Sequence, residues 1–212
     1  MVDVAAGTGK LTRLLLTFGA EVVAVEPVEA MRLALRAALP GVRVAAGTAE
    51  AIPLAESSVD AATVAQAFHW FDAPAALCEL HRVQRPGGRL ALVWNVRDEE
   101  RSAFWAGVSE LMAPLRGDTP SHRSVEWRRA FDGTELFTPL ETTSFRYDHP
   151  TTRDGAVDRV LSTSFVAALP SSDQAAIRDR VLSLLDADPE IGPGADEFVL
   201  RYGTDVQWCS RR

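Results

Sequence analysis

The chain begins with short apolar runs separated by amphipathic stretches. Val2–Ala5, Glu21–Val25, Val42–Ala46, Val59–Ala65 and Arg89–Asn95 read as strands. Lys10–Phe18, Pro27–Leu39 and Asp72–Val83 read as the helices between them, with Pro40-Gly41 and the Arg-Pro-Gly-Gly run from Arg85 as stop signals. Strands this apolar, alternating with helices, predict an α/β fold with a parallel sheet covered on both faces. Right-handed crossovers then gather the strand C-terminal ends on one edge, where such sheets bind ligands. After Asn95 the rhythm changes. Asp98–Leu115 reads as a helix, Gly117–Thr138 as polar and irregular, and Thr142–Tyr147 as a strand. Thr152–Ala168 and Ser171–Leu185 read as two more helices, and a last strand is expected to break at Gly203.

The first strand runs into a small-residue turn, VDVAAGTGKLT, with the outline of a nucleotide loop. A phosphate loop needs a glycine five positions before its Gly-Lys pair and a hydroxyl residue after it. Those positions hold Val4 and Leu11. A dinucleotide fingerprint needs a third glycine at the position of Thr12. Both failures argue against ATP and NAD.

With Asp3 on the strand and Gly7 and Gly9 in the turn, the segment resembles motif I of class I S-adenosylmethionine (SAM)-dependent methyltransferases. SAM carries no phosphate, so an acid and exposed backbone suit it, and small residues let the backbone come close. Later stretches match the family in order. VVAVEP places Glu26 and Pro27 at the end of the second strand, where the resemblance implies an acid on the ribose hydroxyls. Met31 follows where the family packs a side chain on adenine. GTAEAIPL places Thr48 and Ala49 in the adenine loop, and VDAATVAQAFHWFD places Gln66 at the edge facing the sulfonium. The pairing of AFHWFD with RPGGRLALVWN is most similar to the methyltransferase type 11 group.

The resemblance implies a Rossmann-like, doubly wound sheet of seven strands, order 3-2-1-4-5-7-6, with strand 7 antiparallel. It implies one domain over residues 1–212, with its core at 1–95, 140–148 and 196–209. Helical insertions at 96–139 and 149–192 would form an acceptor-side cap. The implied reaction moves the SAM methyl group in line to a small-molecule acceptor and leaves S-adenosylhomocysteine. The cofactor-side positions are Asp3, Ala5, Gly7, Gly9, Glu26, Pro27, Met31, Thr48, Ala49 and Gln66. Two of them depart from the family pattern. Ala5 replaces a glycine, tolerable if its φ is not positive, and Thr48 replaces an acid. The rival readings are a SAM-binding protein without turnover and a nicotinamide oxidoreductase. The family carries an upstream segment before the first strand, whereas this chain starts on that strand. One side of the cleft is therefore expected to be open, with exposed apolar surface and self-association as a homodimer.

Charge and composition narrow the partners. A net charge of −7 argues against nucleic acid or an anionic membrane as the main partner. Cys78 and Cys209 match no metal or redox spacing, and no leader or membrane-length run is seen, so a cytoplasmic protein is expected. His81 and His122 lack neighbours at ligand spacing, and no metal is expected. His69 is the candidate general base, the alternative being a histidine bonded to backbone with Trp70 and Phe71 packed on the next helix. His149 and Tyr202 read as structural. Arg123, Arg128 and Arg129 form a basic cluster that suits either solvent or an anionic acceptor.

Overall fold

The computed structural model describes residues 1–117, 120–121 and 126–212. His122 and Arg123 lie outside the described residues. Seven strands form one sheet in the order β3-β2-β1-β4-β5-β7-β6. They are β1 (Val2–Val4), β2 (Val23–Val25), β3 (Arg43–Ala45), β4 (Val59–Ala65), β5 (Gln84–Arg97), β6 (Glu141–Thr152) and β7 (Glu197–Ser210). β1 pairs in parallel with β2 and β4, β2 with β3, and β4 with β5. β7 runs antiparallel: Gly87 N–H donates to Arg211 O, and Arg211 N–H donates back to Gly88 O.

The helices are α1 (Lys10–Thr17), α2 (Glu29–Ala38), α3 (Ala73–Val83), α4 (Ala103–Arg116), α5 (Glu126–Asp132), α6 (Arg153–Leu161), α7 (Ser164–Ala167) and α8 (Ser171–Ala187). The chain divides into two compact units. The first comprises Met1–Trp94, Pro120–Ser144 and Asp205–Arg212; the second comprises Asn95–Thr119 and Phe145–Thr204.

In the first unit, Val2, Val4, Ala24, Val25, Ala62, Val64, Leu90 and Leu92 are buried along the central strands. The short strands β1 and β2 carry side chains buried on both faces, as a covered parallel sheet requires. Helix α3 adds Ala76, Leu77, Leu80 and Val83 to the core. Asp72 starts that helix by accepting from Ala75 N–H at 3.3 Å, with a proline in its first turn.

The second unit has its own apolar core, with Phe104, Trp105, Val108 and Met112 of α4 packed with Val157, Val160, Val181 and Leu185. Gly107 lets α4 and α8 meet, since a Cβ there would lie 2.5 Å from Leu184 Cδ2. Tyr202 stacks on Tyr147, its phenol pushed to higher pKa by burial.

Three expectations change. The stretch read as irregular from Gly117 to Thr138 contains helix α5, which buries Trp127 and Phe131. β7 is continuous through Gly203; that glycine is needed because a Cβ would meet Val96 Cγ2 at 2.9 Å. The helix read over Thr152–Ala168 is two helices, α6 and α7, parted at Ser162 and Thr163.

Candidate cofactor site

The loop after β1 is shaped by three left-handed residues, Ala5 (φ 55), Gly7 (φ 57) and Gly9 (φ 83). Ala5 is therefore at the positive φ that the glycine it replaces would tolerate freely, and its Cβ costs about 1–2 kcal/mol there. The tolerance expected for this substitution is not met. Gly7 is needed for φ alone, because a Cβ there would meet no atom within 4 Å. Gly9 is doubly constrained: a Cβ would sit 2.9 Å from Leu35 Cγ, so it also lets α1 approach α2. The turn closes through Gly9 N–H donating to Ala6 O at 2.9 Å, and Ala6 N–H donates to Val25 O at 3.1 Å.

Two buried carboxylates frame this loop. Glu26 is 4% exposed and closes β2. Its Oε2 accepts from Gly7 N–H and its Oε1 from Val28 N–H, both at 2.9 Å. Each oxygen keeps a second lone pair, so the group can still take a diol's two O–H donors. Asp3 is 1% exposed. Thr12 Oγ1 donates to its Oδ2 at 2.6 Å and Thr63 Oγ1 to its Oδ1 at 3.0 Å. Burial raises the Asp3 pKa, against the lowering effect of those hydroxyls. This pair of carboxylate acceptors suits a ligand that brings hydroxyl and ammonium donors rather than phosphate. Lys10 is exposed at the start of α1, whose first turn has no side-chain cap.

The other predicted positions fall around the same strand ends. Pro27 and Met31 are exposed, so Met31 is not a core residue. Thr48 is exposed and bridges to Ala51, while Ala49 is buried. Gln66 follows β4 at φ 59, held by its N–H on Val93 O at 2.9 Å. A left-handed Gln at a strand exit is the kind of strain that functional edges retain.

His69 lies in the 3-10 turn Phe68–Trp70. Among the described residues its buried Nδ1 has no hydrogen-bond partner, so this nitrogen does not make there the backbone bond of the structural alternative. Burial lowers its pKa below the ordinary 6.5, which keeps the ring neutral. Trp70 is exposed, whereas Phe68 is buried against Trp127 and Phe131. Trp94, in the last third of β5, stacks on Trp127 with centroids 4.7 Å apart, and its buried Nε1 has no partner among the described residues. Among the described residues no group of three metal-ligating side chains forms, and no helix is long and apolar enough to cross a membrane.

Sequence reading missed the supports of this site. Thr12 and Thr63 were signalled only as hydroxyls at otherwise apolar positions. Glu79 and Arg82 of α3 clamp the loop after β3: Ile52 N–H donates to Glu79 Oε2 at 2.8 Å, and Arg82 donates to Leu54 O at 2.8 Å and Ile52 O at 2.9 Å. Their bond to each other lowers the Glu79 pKa and raises that of Arg82.

A mixed sheet whose parallel half carries a glycine turn after β1 and an acid after β2 defines a Rossmann-like, ligand-binding class. Residues 2–92 match the family described as Methyltransferase domain. An uncharacterized methyltransferase of Mycobacterium tuberculosis is 40% identical over 204 residues, which cover 96% of this chain and 80% of that protein. The structure of a putative type II methyltransferase from Anaeromyxobacter dehalogenans superposes with TM-score 0.70 at 28% identity, covering 100% of this chain and 88% of that one. A geranyl diphosphate C-methyltransferase from Streptomyces coelicolor, solved with S-adenosylhomocysteine, shares the fold with TM-score 0.54 at 16% identity, covering 100% of this chain and 72% of that one. The chain belongs to the class I SAM-dependent methyltransferase family, in its type 11-like group.

Proposed function

We propose that this protein transfers the methyl group of SAM to a small-molecule acceptor, releasing S-adenosylhomocysteine and a proton. The observation that carries the reading is Glu26. A buried carboxylate that already joins the glycine turn to the start of α2 has lone pairs left for a ribose diol. In this reading Gly7, Gly9 and Ala5 pass beneath the methionine part, and Asp3 holds the turn in place and supplies negative potential for the ammonium. Pro27, Met31, Thr48 and Ala49 flank the adenosine, and Gln66 faces the sulfonium. SAM, when bound, supplies an already activated methyl group, so the chain's work is to position the acceptor and exclude water.

His69 is the group proposed to take the acceptor's proton. Residues 96–139 and 149–192 are proposed to recognise the acceptor. The exposed apolar side chains of Leu14, in α1, and Phe18, just after it, support self-association as a homodimer, checked by light scattering. A cytoplasmic location completes the proposal.

Calorimetric titration with SAM, S-adenosylhomocysteine and NAD tests it. The expected result is binding of the first two, weakened about tenfold or more by Glu26→Gln. Binding of NAD alone overturns it. For His69, the lowered pKa predicts an acid-side loss of activity whose midpoint lies below the ordinary 6.5 of a free histidine, with His69→Gln losing ~10²-fold or more in kcat. The strained Ala5 and the non-acidic Thr48 favour one alternative, a SAM-binding protein without turnover. Its signature is cofactor binding with no S-adenosylhomocysteine formed across a broad acceptor panel.

A further inference from the structure

We propose that the first unit carries a second ligand site, a cavity of about 420 Å³ suited to an organic carboxylate borne on a small ring or short hydrocarbon. It is lined by residues of α5, of the segment from Thr134 to Thr142, and of the end of β7. None of these belongs to the loops after β1, β2 and β3 that form the candidate cofactor site; those from Arg128 to Pro139 fall in the segment proposed above to recognise the acceptor, and the inference rests on that reading. Its size is that of a small-molecule pocket.

Three features give the chemistry. The first is Gln207, which lines the cavity although it is only 3% exposed. Among the described residues its carboxamide has no hydrogen-bond partner. Its amide atoms are not among the side-chain groups sealed from solvent without a partner, so the amide is open to the cavity and can both donate and accept there. The second is charge. Arg128 and Arg212 both line the cavity, and among the described residues neither guanidinium makes a hydrogen bond or ion pair. Arg128 is instead held over the Trp127 ring, 5.1 Å from its centroid, which leaves its donors for a ligand. Asp132 lines the cavity as well, so the forked donors share the space with a side-chain carboxylate. The third is an apolar wall formed by Phe131, Phe137, Pro139 and Leu140, of which Phe131 and Phe137 are buried.

Forked donors and an amide beside aromatic carbon match a carboxylate attached to an apolar body. A bare, strongly hydrated phosphate gains nothing from such walls, and a neutral ring gains nothing from the arginines.

The test uses the full chain, with benzoate as probe and benzamide and inorganic phosphate as controls, read by calorimetry or ligand-observed NMR. Benzoate is expected to bind at least about tenfold more tightly than either control, the margin a charge-assisted hydrogen bond supplies. Arg128→Ala and Gln207→Leu should each weaken benzoate about tenfold while leaving the SAM dissociation constant within twofold. Arg128 is exposed, so its variant gives a clean reading even if replacing the buried Gln207 unfolds the chain. The proposal is overturned by no benzoate binding, by a control binding equally well, by an unchanged Arg128→Ala, or by SAM displacing the probe.

Discussion

Helices α3 and α1 both belong to the first unit, yet they are held by different forces. α3 has a side-chain cap and buries four apolar residues, Ala76, Leu77, Leu80 and Val83. α1 starts on a left-handed glycine, has no side-chain cap, and buries only Thr12. Its Leu14 and the Phe18 that ends it are 58% and 86% exposed. The helix that follows the cofactor turn is therefore anchored by a hydroxyl–carboxylate bond and a glycine contact, whereas α3 is anchored by burial. Where the chain must present a turn to a ligand, polar geometry replaces apolar packing.

The sharpest contrast comes from one truncation in each helix. Leu80→Ala should lose ~2–5 kcal/mol in chemical denaturation. Leu14→Ala should stay within about 0.5 kcal/mol. Equal losses would erase the distinction. Next comes Gly9→Ala, which places a Cβ against Leu35 at a φ that L-residues avoid. It should cost ~1–3 kcal/mol and weaken SAM, although it adds a better helix former beside α1.

Asp3→Asn tests the polar anchor itself. An amide can still accept from one threonine and donate to the other, so the variant should be as stable at pH 7, or up to ~1 kcal/mol more stable. The sign follows from the raised pKa. Between the ordinary 3.8 and the higher folded value, the folded chain holds a proton that the unfolded chain has lost. Wild-type stability relative to Asp3→Asn therefore falls as pH rises through that window, and stays lower above it. Titrating the difference in unfolding free energy between pH 3 and 7 reads this directly. The same variant should weaken SAM, which a purely structural Asp3 would not. A last, modest effect belongs to Ala5→Gly, which should gain about 0.5–1 kcal/mol by relieving the left-handed alanine.

The same contrast explains what could be read from the chain. Period and apolarity located every strand through residue 95, because buried parallel strands advertise themselves. Glu26 was legible because an acid ending Val-Val-Ala-Val is costly without a partner. Thr12 and Thr63 were not, since their bonds to Asp3 join residues far apart in sequence or on different elements. Helix α5 escaped because Trp127 and Phe131 are its only buried residues, set among arginines and acids. The φ of Ala5 had no signal at all, because alanine looks the same in either backbone region. Gly203 was misread for the opposite reason: a glycine that usually marks a break here serves a close approach of two strands.

The Glu79–Arg82 clamp also bears on the thermodynamics of ligand capture. It fixes the backbone from Ile52 to Leu54 before any ligand arrives. Those residues have already given up their freedom during folding, at roughly 1–2 kcal/mol each for the backbone. A ligand meeting this loop has less disorder to remove, so more of its contact energy survives as affinity. Helix α3, which grips the loop through two side chains, thus sets the entropy of binding at the opposite end of its bonds.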